Sequence, residues 1–103
     1  MIRKIETQDF PLEKEPGLSV VAFSAAWCPP CKVMGPIYEE AAARFPAWRF
    51  LKADQDAVPE FFRRHRVHSI PTYVVFKEGK EIHRQVGALP GSRFQAMLAA
   101  LPS

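Results

Sequence analysis

The chain has 103 residues, 48% of them hydrophobic and 24% charged, which suits one small core and excludes a disordered chain. Net charge is +3, but the densest basic run, Arg63-Arg64-His65-Arg66, lacks the interleaved aromatics of a nucleic-acid binder and reads as a solvated helix face. The longest early apolar run, Leu18 to Ala26, is broken by Ser19 and Ser24 and is far too short to span a membrane.

In chain order, Ile2 to Glu6 reads as a short strand. Thr7 is placed to N-cap a brief helix ending near Pro11, since its hydroxyl can accept free backbone N–H groups. After the break at Pro16-Gly17, the β-branched run Leu18 to Phe23 predicts a buried strand. Pro29 to Arg44 is the strongest helix. Prolines in its first turn cost little, because those N–H groups lack intrahelical partners anyway. Pro36 lies deeper and predicts a kink. Val33, Ile37, Ala41 and Phe45 repeat every fourth residue and predict the buried stripe.

Trp48 to Ala53 is the next strand. Asp56 is placed to cap a helix running to about His65, with Phe61 and Phe62 facing inward. Thr72 to Phe76 and Ile82 to Val86 form a hairpin around Glu78-Gly79. Phe94, Met97, Leu98 and Leu101 mark a C-terminal amphipathic helix. The order β-α-β-α-β-α-β-β-α predicts one α/β domain, residues 1–103. Its architecture is a central mixed sheet of four to five strands with helices on both faces.

The chain has two cysteines, Cys28 and Cys31, separated by Pro29 and Pro30. A secreted disulfide framework would normally show more cysteines. No signal-peptide pattern opens the chain as given, so the pair points to redox or metal chemistry in a reducing compartment, the cytoplasm. The pair falls where a strand and loop hand over to a helix. A thiolate there faces free N–H groups and the positive end of the helix dipole, both of which lower its pKa. Cys28 is expected to be the more exposed, attacking sulfur. Cys31, one turn into the helix, is expected to be buried and to resolve the mixed disulfide. Lys32 adds positive charge nearby.

A purely structural disulfide would close only a four-residue loop, worth roughly 2 kcal/mol by chain entropy. Zinc could draw on His65 and His68, but the gap from Cys31 to His65 is far longer than the finger spacing of about 12–15 residues. No metal site is expected.

Trp27-Cys-Pro-Pro-Cys-Lys32 resembles the W-C-G-P-C-K active site of the thioredoxin family. Val21-Ala-Phe23 precedes it, and Pro36 stands where that family has its helix-kinking proline. Ser69-Ile-Pro-Thr72 resembles the family's G-I-P-T loop, and Val86-Gly-Ala88 its V-G-A turn. The likeness runs through essentially the whole chain in order and spacing. It implies a thioredoxin fold and a thiol–disulfide oxidoreductase reducing protein disulfides through Cys28 and Cys31. It implies that Pro71 is cis and lies against the cysteines, and that Trp27, Ile70, Pro71 and Gly87 form a substrate groove. Ile70 would pair its backbone with an extended substrate segment. The implied electron donor is an NADPH-dependent flavoprotein reductase, with no cofactor bound by this chain, which is expected to be a monomer. A disulfide oxidase or isomerase, and a non-catalytic binding module using the same groove, are the alternatives.

Three departures from the family stand out. Ala22 takes the place of the family's buried aspartate, and that residue's lysine partner aligns with Phe50, with Lys52 close by. Pro29 replaces a glycine, removing an N–H near the Cys28 sulfur while stiffening the loop. Ser24 replaces a second tryptophan, and the segment between Asp54 and Pro71 is slightly longer.

Overall fold

The computed structural model describes residues 1–102. Its strands are β1 (Ile2–Lys4), β2 (Leu18–Ser24), β3 (Arg49–Asp54), β4 (Thr72–Lys77) and β5 (Lys80–Val86), and its helices α1 (Pro29–Arg44), α2 (Pro59–Arg64) and α3 (Gly91–Ala99). The five strands make one mixed sheet in the order β1-β3-β2-β4-β5. β1 and β2 run parallel to β3, while β4 runs antiparallel to β2 and β5. This is the mixed sheet that the order of elements predicts, at the upper end of the expected four to five strands. Among the described residues no helix is long and apolar enough to cross a membrane.

β2 is buried at every position, as a central strand covered on both faces must be, and its alternating side chains divide the core in two. Val21 and Phe23 join Phe61 and Phe62 of α2 on one face. Val20 and Ala22 join Met34 and Tyr38 of α1 and Phe94 and Leu98 of α3 on the other. The β4–β5 hairpin turns through Glu78 and Gly79, both in the left-handed region. Gly79 is required twice over, since a Cβ there would stand 2.5 Å from the Glu13 carbonyl oxygen.

Several local expectations fail for identifiable reasons. No helix runs from Thr7 to Pro11; the chain makes a turn there, and a 3₁₀ turn follows at Leu12–Lys14. Pro11 biases Phe10 away from helical geometry, which blocks the earlier helix. Asp56 does not cap α2, whose N-cap is Val58 followed by Pro59. The free N–H groups of Glu60 and Phe61 are instead taken by Gln8 Oε1, at 2.8 and 3.1 Å. The buried face of α1 is Met34, Tyr38, Ala41 and Ala42, and Val33 is 67% exposed. Leu101 lies beyond α3 but still packs on its core.

Candidate active site

Cys28 is the N-cap of α1, in extended conformation, and Pro29 and Pro30 fill the first helical positions. Its N–H donates to the Ala25 carbonyl and its own carbonyl accepts from Lys32 N–H. The two prolines carry no N–H, and among the described residues Cys31 N–H makes no backbone hydrogen bond. That single amide is the first-turn donor left to face a sulfur at the N-cap, together with the positive end of the helix. Cys28 and Cys31 are joined as a disulfide, their Cα atoms 5.2 Å apart.

The expected order of exposure is reversed. Cys28 is only 4% exposed, whereas Cys31 is partly exposed. Cys28 is tucked in by the Ala25 turn, while Cys31 lines a cavity of about 350 Å³ that Cys28 does not reach. Ala22 and Ser24 line the same cavity. The small side chains at both positions leave it open.

Trp27 is 60% exposed beside the pair, so it is not a core residue. Its Nε1–H donates to Asp56 Oδ2 at 3.0 Å. Asp56 therefore anchors the indole rather than capping α2. Asp54 supports this arrangement, its carboxylate accepting the N–H groups of Asp56 and Ala57.

The Ile70–Pro71 peptide is cis. Pro71 and Gly87 are brought together, with Gly87 N–H donating to the Pro71 carbonyl at 2.8 Å. Gly87 has φ +94°, a conformation that favours glycine. Ile70 is partly buried against the α2-side core. Among the described residues neither its N–H nor its carbonyl makes a hydrogen bond, leaving both available to an extended chain.

Two residues that support this loop escaped sequence reasoning. Arg84 on β5 donates to the carbonyls of His65 at 2.7 Å and Arg66 at 3.0 Å, and pairs with Glu81. It thereby fixes the chain where Arg66 turns through φ +56° on the way to Pro71. His65 packs among Phe23, Phe61 and Phe76. Burial, then the charges of Arg64 and Arg84, hold its pKa below the ordinary histidine value.

Lys52 settles the question of a lysine beside Ala22, because the two are register partners on β3 and β2. Lys52 and Lys32 both line the cavity with Cys31. Tyr38 closes its inner side. The Tyr38 hydroxyl donates to the Leu51 carbonyl at 2.6 Å, with the Val20 carbonyl at 2.9 Å. Burial pushes that phenol well above its usual pKa. Among the described residues, no group of three His, Cys, Asp or Glu is placed to hold a metal ion.

The thioredoxin family profile matches residues 3–100. The chain belongs to the thioredoxin family. It is 38% identical over 98 residues to thioredoxin of Staphylococcus aureus, covering 94% of each chain. It is 39% identical over 87 residues to thioredoxin of Chlamydia trachomatis, covering 84% of this chain and 85% of that one. Oxidised mitochondrial thioredoxin 3 from Saccharomyces cerevisiae superposes with a TM-score of 0.86 at 31% identity, over 97% of this chain and 95% of that one. Plasmodium falciparum thioredoxin gives 0.85 at 30%, over 96% and 99%. With the Cys28–Cys31 pair in place, this thioredoxin-family chain is a protein thiol–disulfide oxidoreductase.

Proposed function

We propose that the protein reduces disulfides of other proteins in the cytoplasm, with Cys28 as nucleophile and Cys31 as resolving thiol. Electrons come from an NADPH-dependent flavoprotein reductase. The observation that carries this reading is the position of Cys28 at the N-cap of α1 with Cys31 N–H unpaired beside it. A thiolate is favoured there over its position in an unfolded chain.

In the dithiol state the Cys28 thiolate attacks one sulfur of a substrate disulfide, and the other sulfur leaves as a thiolate. Cys31 then loses its proton and attacks the Cys28 sulfur of the mixed disulfide. The substrate departs with both thiols reduced, and the Cys28–Cys31 bond re-forms. Both electrons travel through sulfur–sulfur bonds, so the step needs only the two cysteines. The unpaired backbone of Ile70 holds an extended substrate strand, flanked by Trp27, Pro71 and Gly87, in the manner of an added β-strand. With alanine at position 22, the Cys31 proton passes to water in the adjoining cavity or to the departing substrate thiolate.

The test is insulin-disulfide reduction driven by NADPH and a flavoprotein thioredoxin reductase, together with the reduction potential of the pair. A value near about −270 mV supports the reductase, and one near about −120 mV identifies an oxidant instead.

A further inference from the structure

The cavity beside the redox pair is lined by one of its two cysteines. Its lining includes Cys31 and excludes Cys28, and its volume of about 350 Å³ is in the range that takes small molecules. Its floor is built from Ala22, Ser24, Ala25 and Ala26. Ser24 is 7% exposed, and among the described residues its hydroxyl has no hydrogen-bond partner. That oxygen is itself buried, so Ser24 shapes the wall by its small size rather than by an offered hydrogen bond.

Charge points the same way. Lys32 and Lys52 line the cavity, against one carboxylate, Glu39. Lys4 adjoins through a neighbouring pocket and is the register partner of Lys52 across β1 and β3. Like charges opposite each other in a sheet repel. Among the described residues none of the three lysines makes an ion pair. Asp54, in the neighbouring pocket, holds the Asp56 and Ala57 amides with one carboxylate oxygen, so two carboxylates stand against three ammonium groups.

We propose that this cavity admits a low-molecular-mass thiol bearing a carboxylate, which reduces the disulfide by attacking Cys31 rather than Cys28. The small thiolate bonds to Cys31 Sγ, the Cys28–Cys31 bond breaks, and Cys28 leaves as a thiolate that takes its proton from solvent. A second small thiolate attacks the outer sulfur of the mixed disulfide, freeing Cys31 and releasing a small symmetrical disulfide. Two thiols are oxidised and one protein disulfide is reduced. The guest carboxylate lies against Lys52 and Lys32. The proposal adds a second electron donor to the reductase reading, on which it rests.

The test uses the oxidised full chain with 3-mercaptopropionate, 2-mercaptoethanol and cysteamine. Rates are corrected for thiolate concentration and for each thiol's rate with a neutral model disulfide. Adducts are trapped with N-ethylmaleimide and placed by tandem mass spectrometry. The expected result is an adduct on Cys31 and a corrected rate about tenfold higher for the anionic thiol than for the cationic one. Lys52→Glu should then reduce or invert that preference. An adduct on Cys28, or a charge preference unaffected by Lys52→Glu, overturns the proposal. Loss of insulin reduction by the wild-type chain would count against the reductase reading alone, because the small-thiol assay does not depend on it.

Discussion

Replacing Ala22 by aspartate introduces an ionisable group at a position 4% exposed, on the wall of the cavity that reaches Cys31. Desolvation raises a buried carboxyl by up to about 3–5 pKa units. The ammonium of Lys52, on the register partner of Ala22, offsets part of that. A net rise of about 2 units leaves the group titrating near pH 6 and is worth about 2.7 kcal/mol. The folded pKa lies above the unfolded one, so the ionised form is the disfavoured form in the fold. The variant should therefore match its low-pH stability difference from wild type below about pH 4, and lose the full amount as pH rises through about 6. Urea unfolding at pH 4, 6 and 8 measures this, with the wild type as reference at each pH. Single-turnover resolution of a trapped mixed disulfide should acquire a new ionisation in the same range. A stability difference that is flat with pH, and a resolution profile superimposable on wild type, would refute the idea that this wall communicates with the Cys31 proton.

Phe61 is fully buried and stacks on Phe23 with ring centroids 5.6 Å apart, so Phe61→Ala should cost about 3–5 kcal/mol in urea unfolding; a loss below about 1 kcal/mol contradicts its place in the core. Gly87→Ala meets no atom within 4 Å but must hold φ +94°, for about 1–2 kcal/mol of backbone strain. Because Gly87 N–H holds the Pro71 carbonyl, kcat/KM for insulin should fall as well; unchanged stability and kinetics refute both points. His65 has a lowered pKa, so the stability it supports is intact above about pH 6.5, its unfolded value, and is lost as pH falls towards the folded one. His65→Phe should flatten the stability profile between pH 7 and 5, and an equal slope in both proteins removes His65 as the cause.

Much of this architecture is written locally. The run Leu18 to Phe23 is buried on both faces and reads as a central strand, and the Glu78-Gly79 turn announces its hairpin through the residues that tolerate positive φ. The helix at Pro29 is equally plain, because proline fits the first turn and little else in a helix. The errors come where geometry accumulates or acts at a distance. Residues spaced by four drift about 40° per step around a helix, so the row Val33, Ile37, Ala41 and Phe45 crosses the buried face obliquely, with Val33 outside it and Ala41 within it. The observed set Met34, Tyr38, Ala41 and Ala42 stays on one side. Gln8 caps a helix some fifty residues away, which no local pattern signals.

The site was legible to a similar depth. Cys28 and Cys31 stand out by type and spacing, and the family resemblance adds Trp27, Ile70, Pro71 and Gly87. Their support does not: Asp56 on the indole and Arg84 on the His65–Arg66 carbonyls are long-range contacts of ordinary charged residues. The exposure of the two cysteines was misread because it depends on what Ala22 and Ser24 leave empty, and an empty volume has no sequence signature of its own.

The central claim is that Cys28 attacks substrate and Cys31 resolves the complex. Incubating oxidised substrate protein with the reduced Cys28→Ser and Cys31→Ser variants, followed by non-reducing electrophoresis, tests it directly. A stable mixed disulfide with Cys31→Ser and none with Cys28→Ser is the predicted result. Accumulation with Cys28→Ser, or insulin reduction that survives the loss of Cys28, would contradict the account.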